Sequence, residues 1–421
     1  MISYWRIFSL ELLTAVRTKT WAMLALASSA WILSLPHFLK ADGTEEGFTE
    51  LYVRYGFGGV FVLMSIAALW GASGSLAGER EAKRLQLTLV RPVRYTVLVL
   101  SKTAAHATVS AAVMLLSALL MMFTLDPMAK CSRVNRPVME SAAAEAEKMY
   151  DAYMASPETP EAVKKSKKST VLRILTDRAI DRYDTVKTNS VRKWKFDLPA
   201  GYDLPKLRLR FAAHCGMRQD VKGEVTLDGW KAAVTNLTKS TVIVPLARCE
   251  GASPSAETIL SFRNRGQAAV MLRPRKDIEV LLPSDALWLN LLRTWLRLAS
   301  ILTALSALGV FLSAGLSRSV ALFTAMALLL VGELGTTVTE NCSEDLESKF
   351  TDRVGLEISR AASSLMKPIS SASPIEPFAR GEEVDFAGTL KLALVDMVAL
   401  PLMFALLSAL TLPRKNTPLS R

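Results

Sequence analysis

The chain has 421 residues, half of them hydrophobic (50%), with a formal net charge of +12 and four cysteines. A mean hydropathy of +0.25, gathered into runs of roughly 20 apolar residues, excludes an ordinary soluble globular protein, because one such run crosses a bilayer. The pattern predicts an α-helical polytopic membrane protein with about six transmembrane helices and an inserted extracytoplasmic α+β domain.

Residues Ile2 to Thr20 mix Tyr4, Trp5, Phe8 and Leu12 with Arg6, Arg17 and Lys19. Apolar residues near helical spacing predict an amphipathic helix in the membrane interface; a charged flank of the first span is the alternative. Trp21 to Leu39 is that span. The residues before it, and the lack of a small-residue cleavage site after it, argue against a signal peptide. Phe57 to Ala77 and Val97 to Leu125 are the second and third spans. Between them lies a basic segment, Glu79 to Lys102, predicted to hold a short charged helix at the membrane face.

Residues 126–287 form a long hydrophilic insertion. Residues 137–186 carry helix-like sequence, in which Val171, Ile174, Leu175 and Ile180 repeat at helical spacing and Pro157 and Pro160 break the run. From 191 to 283 the period falls to two: Leu207 to Phe211 alternates apolar and basic, and short strands follow at Glu224–Leu227, Thr241–Leu246, Thr258–Phe262, Val270–Leu272 and Ile278–Leu282. That spacing predicts a β-sandwich on a helical stalk, with Trp194 and Trp230 in its core. The insertion is net basic. Lys164 to Lys168 is either a patch for anionic lipid or polymer or a plain solvated surface. Residues 288–421 hold spans four to six: Trp288 to Leu316, a shorter Val320 to Leu334, and Phe386 to Leu412. Between the last two, residues 344–366 predict an outer amphipathic helix.

Charge in the short loops sets orientation. The segment before span one, the Arg80–Lys102 loop, Arg318 and the tail with Arg414 and Lys415 are basic, whereas Ala41 to Tyr55 is net acidic. Both termini are therefore expected in the cytoplasm, most simply that of a bacterial cell whose inner membrane the chain crosses. Cys131, Cys215, Cys249 and Cys342 then all fall outside, where disulfides persist. Two bridges are expected, with Cys215–Cys249 and Cys131–Cys342 preferred among the connectivities; four free thiols are the alternative.

Catalytic and cofactor signatures are missing from the sequence. It has no phosphate-binding Gly-x-x-x-x-Gly-Lys-Ser/Thr loop, no His-Glu-x-x-His and no Gly-x-Ser-x-Gly elbow. His37, His106 and His214 are far apart, so no metal site and no cofactor is expected. Nucleic acid is not an expected partner, since the basic insertion faces away from the cytoplasm. Polar residues inside apolar runs are the remaining candidates: His106, Glu333 and Asp396, with Arg293 and Arg297 near one end of span four. Such groups either line a substrate path or neutralise one another across a helix interface.

The segment Glu79-Arg80-Glu81, then Leu85, Leu87 and Leu89, then Pro92-Val93 and Lys102 resembles the cytoplasmic coupling region of ABC-2 type permeases, the membrane subunits of ABC exporters. Lys83-Arg84 stands where that family has Gly-Thr. The surface helix, the six-span frame and the helical loop between spans five and six are similar too; the large insertion is not part of the common core. The resemblance implies a permease without enzymatic activity of its own. It would export an unidentified substrate with ATP hydrolysed by a separate cytoplasmic ABC ATPase, and pair with a second permease subunit, identical or related. Glu79, Arg80, Glu81, Arg84, Pro92 and Arg94 would then meet the ATPase. The insertion would gate, capture cargo or dock a periplasmic partner. Two rival readings stand beside it: a membrane-anchored binding or scaffold protein, and an integral membrane enzyme acting at the outer leaflet.

Overall fold

The computed structural model describes residues 2–40, 45–83, 94–125, 131–157, 159, 164, 168–198, 208–211, 214–215, 222–227, 230–235, 242–245, 247–248, 258–284, 287–341 and 373–411. The chain divides into two compact units, one essentially 1–129 with 286–342 and 346–421, the other essentially 130–285.

The first unit is helical. A short helix, α1 (Ile2–Arg17), leads into α2 (Lys19–Phe38), α3 (Glu45–Glu81) and α4 (Tyr95–Thr124). After the second unit come α7 (Leu287–Gly315), α8 (Arg318–Asn341) and the one-turn α9 (Ile375–Ala379). The last long helix is α10 (Phe386–Leu394), a π-helical turn Val395–Ala399, and α11 (Leu400–Thr411). Among the described residues, five helices are long and apolar enough to cross a membrane: α2, α3, α4, α7 and the α10–α11 rod. At 1.5 Å per residue, the 20 residues of α2 reach about 30 Å, the thickness of a hydrocarbon core. Phe38, Val62, Phe123 and Leu410 stay exposed along these helices, as suits side chains whose solvent is lipid rather than water. The chain is thus an integral membrane protein of mostly helical build.

Helix α8 covers the expected short fifth span, Val320 to Leu334. Among the described residues, its apolar part is Arg318–Val331, within a helix that runs to Asn341. The expected outer helix at 344–366 lies outside the described residues.

Helix α7 is the hub of this unit: most of its residues from Leu298 to Val310 are buried. It packs tightly on α3 at Gly309, where an added Cβ would come within 2.8 Å of the Ala72 Cβ and 3.3 Å of the Leu69 carbonyl oxygen. Small residues let two helices approach in this way, and the approach gains dispersion energy that lipid does not supply. Asp385 caps α10, its carboxylate accepting from the Ala387 and Gly388 amides at 3.1 and 2.8 Å. The π turn precedes Pro401, which has no N–H for the carbonyl four residues back. The ladder is therefore already broken where the helix widens.

Helix α1 divides its faces. Tyr4, Ile7, Phe8, Glu11, Leu12 and Ala15 turn inward, while Trp5, Leu10, Leu13 and Val16 are exposed. An apolar outer face flanked by Arg6 and Arg17 suits a helix lying in the lipid interface.

The second unit has a helical hairpin and three antiparallel sheets. Helices α5 (Ala142–Ala155) and α6 (Lys168–Ile180) meet through Ala146, Val171 and Leu175. The strands are β1 (Cys131–Asn135), β2 (Asp184–Val186), β3 (Val191–Phe196), β4 (Arg208–Phe211), β5 (His214–Cys215), β6 (Lys222–Leu227), β7 (Trp230–Thr235), β8 (Val242–Pro245), β9 (Ala247–Arg248), β10 (Thr258–Asn264), β11 (Val270–Leu272) and β12 (Ile278–Ser284). They order as β1-β12-β4-β8, β3-β10-β6-β7-β9 and β2-β11-β5. One core serves all three sheets: Phe211 and Val280 come from the first, Trp194, Val225 and Phe262 from the second, and Val186 and Leu272 from the third. Strands β1 and β2 precede the expected start of the β region at 191. The short β1 is recognisable only by its partner, pairing antiparallel with β12 from Cys131–Ser284 to Asn135–Val280. Trp194 is in the core; the Trp230 side chain lies outside the described residues, as do those of Cys215, Cys249 and Cys342. Cys131 is buried in β1. The expected disulfides therefore fall outside what is described.

Candidate functional site

The polar residues of the helical unit gather into separate clusters. The first is built around Lys102, the eighth residue of α4. Its side chain is 2% exposed, and its ammonium lies 2.8 Å from Glu79 Oε1 on α3 and 3.0 Å from Glu11 Oε2 on α1. Glu11 Oε1 accepts from the Ser75 hydroxyl at 3.2 Å and faces His106 Nε2 at 3.6 Å. His106 is one turn along α4 from Lys102 and packs against Gly71, where an added Cβ would stand 3.1 Å from Nδ1.

Helix periodicity explains the convergence. Ser75 and Glu79 are four apart on α3, and Lys102 and His106 four apart on α4, so each pair shares one face. A lone ammonium in an apolar helix interface is costly to bury. Two carboxylates from two other helices offset that cost. Burial pushes the Glu11 carboxyl up, but His106 and Lys102 outweigh it and hold the group down to about 2. At 3.6 Å the imidazole is beyond hydrogen-bonding length, so we assign the larger effect to Lys102.

Arg80, next to Glu79, reaches a fourth helix. Its Nη1 donates to the Ala314 carbonyl at 2.9 Å and its Nη2 to the Leu316 carbonyl at 2.6 Å. Carbonyls at a helix C-terminus carry partial negative charge and lack helical partners, which makes a guanidinium a favourable cap. One turn of α3 thus holds α1, α4 and α7 together. Glu81 takes no part and is exposed, as is Lys83, which adopts φ 57 as the helix ends.

This placement corrects the expected position of Glu79, Arg80 and Glu81. They do not belong to a separate short helix; α3 runs unbroken to Glu81, since nothing between Ala77 and Ala82 stops it. Arg84 and Pro92 lie outside the described residues. Arg94 is the exposed N-cap residue of α4 and makes no side-chain cap.

The second cluster lies between α7 and the π turn. Arg297 and Asp396, 2% and 0% exposed, form an ion pair. Ser300 donates to the same carboxylate oxygen at 3.3 Å, and Asp396 Oδ1 is buried without a hydrogen-bond partner. Toward the start of α7, Asn290 donates to the Glu382 carbonyl at 2.8 Å and accepts from the Val384 amide at 2.8 Å, while Arg293 pairs with Glu383 at 2.6 Å. Near the start of α3, Arg54 bridges Glu50 at 2.8 Å and Glu376 at 2.6 Å.

His106 and Asp396 thus sit in different clusters, and Glu333 lies on α8 with its side chain outside the described residues. Glu11 and Lys102 are the pair that sequence reasoning did not join. The available signal was that each is a lone charge among apolar neighbours, which calls for a partner. Among the described residues, no group of His, Cys, Asp and Glu could hold a metal ion. No family model, curated protein or solved structure matches this chain.

Proposed function

We propose that this chain is the permease subunit of an ABC transporter of the ABC-2 type, driven by ATP hydrolysed on a separate cytoplasmic subunit. The observation that carries this reading is the Lys102 cluster. The Glu79-Arg80 pair of the coupling-like segment grips three other helices through Glu11, Lys102 and the end of α7. A force applied just beyond Glu81 would reach α1, α3, α4 and α7 as one body. An anchor that only held an outer domain in the membrane has no use for such a joint.

In this reading α8 is the short fifth of six spans, both termini are cytoplasmic, and residues 130–285 form the extracytoplasmic domain. The membrane is a bacterial inner membrane, the chain pairs with a second permease subunit, and transport runs outward. With Glu79 and Arg80 engaged internally, the exposed Glu81 and the residues after it form the contact for the ATPase.

The test is affinity purification of the tagged chain from its own membranes in mild detergent. A stoichiometric ATP-hydrolysing subunit supports the proposal. Recovery of the folded chain alone would favour the anchored binding protein instead.

A further inference from the structure

The second unit holds a cavity of about 150 Å³ lined by three arginines, Arg182, Arg192 and Arg275, and one carboxylate, Asp184. It forms where the end of α6, strands β2 and β3 and the turn before β12 come together. Arg275 is largely buried and held from behind, while the more exposed Arg182 and Arg192 are each tied to a carboxylate. Arg275 Nη2 donates to the Glu140 carbonyl at 2.7 Å and to Glu145 Oε2 at 2.8 Å. Arg182 Nη1 donates to Glu145 Oε1 at 2.5 Å. Arg192 Nε donates to Asp184 Oδ2 at 3.3 Å, an oxygen that also accepts from Trp194 Nε1 at 3.3 Å. Asp184 and Glu145 are therefore spent as braces. Arg275 Nη1 remains buried with no hydrogen-bond partner.

Leaving a buried guanidinium N–H unsatisfied is costly, and three guanidiniums against two carboxylates leave one positive charge unmatched. The planar N–H fork of Arg275, with Arg182 and Arg192 beside it, suits an oxyanion. Met139 and Pro274 on the same wall give an apolar surface that a bare inorganic anion does not use. We propose that this cavity binds a small organic carboxylate, its anionic end on Arg275 and Arg192 and its hydrocarbon end against Met139 and Pro274. A monovalent carboxylate balances the one excess charge; a phosphate dianion overshoots it. The proposal stands independently of the permease reading, since it concerns only the second unit's own residues.

The test is calorimetric titration of the purified full-length chain in detergent with butyrate and, separately, inorganic phosphate. Saturable butyrate binding is expected, weakened about tenfold or more in Arg275→Gln and in Arg192→Gln. Arg275 also braces Glu145, so its variant could fail to fold. Arg192 is 55% exposed, so its substitution is expected to leave the thermal midpoint unchanged, and with that checked the variant decides the matter. No saturable butyrate binding, binding of phosphate alone, or butyrate binding unchanged in Arg192→Gln would each overturn the proposal.

Discussion

Lys102 Nζ stands 2.8 Å from Glu79 Oε1, and this one contact joins the last turn of α3 to the early turns of α4. Its worth lies in what its loss would leave behind. Taking the ammonium away strands two half-buried carboxylates, 20% and 28% exposed; breaking a fully buried ion pair from one side costs about 3–5 kcal/mol, and their partial exposure puts this loss toward the lower figure. Lys102→Met should lower the thermal midpoint in detergent sharply. Adding Glu11→Gln and Glu79→Gln should restore part of the loss, because the three groups act as a unit. Losses that simply add would contradict the cluster.

The same cluster predicts an acid limit. Glu11 titrates near 2 in the folded protein against an ordinary 4.5. A depressed carboxyl contributes stability that is fully present above its unfolded value and lost as pH falls through the folded one. The difference in thermal midpoint between the native chain and Glu11→Gln should be widest above about pH 5 and shrink progressively toward about pH 2. A difference independent of pH over that range would exclude the ion pair as its source.

The buried pair Arg297–Asp396 makes a parallel case. Asp396→Asn leaves Arg297 with a neutral partner in an apolar interface, and a loss of about 3–5 kcal/mol is expected. Arg297→Met combined with Asp396→Asn should recover most of it. If the double variant is as unstable as the single one, the π turn rather than the charge pair holds the last helix to α7.

Gly309 tests helix contact without charge. Its Cβ position lies 2.8 Å from the Ala72 Cβ, so Gly309→Ala forces α3 and α7 apart at about 1–3 kcal/mol. Ala72→Gly removes the nearest clash but not the backbone contact with the Leu69 carbonyl at 3.3 Å, so thermal unfolding of the pair should show partial rescue.

Helices were the most legible part of the sequence, because a bilayer demands length and apolarity and both can be counted. The end of α3 was less so. Glu79, Arg80 and Glu81 read as the start of a short surface helix, yet two of the three are consumed by partners on other helices, and pairing across helices leaves no periodic trace. Lys102 was visible as the close of a motif, but Glu11, 91 residues earlier, was not visible as its partner. Strands β4, β6, β8, β10, β11 and β12 followed from alternation, whereas β5, β7 and β9 did not stand out, and β1 did not because its pairing with β12 bridges more than 140 residues. The arginine-lined cavity drew on α6, β2, β3 and a turn before β12, and only folding brings them together.

Glu81 separates the transport account from a purely structural one, because it is exposed while its neighbours Glu79 and Arg80 are engaged. The decisive measurement is ATP turnover by the complex purified from native membranes, compared between the native chain and Glu81→Lys. We expect turnover to fall by about tenfold, a loss of one well-placed charged contact, with the thermal midpoint of the chain unchanged. Undiminished turnover, or a purified chain with no ATP-hydrolysing partner, would contradict the account.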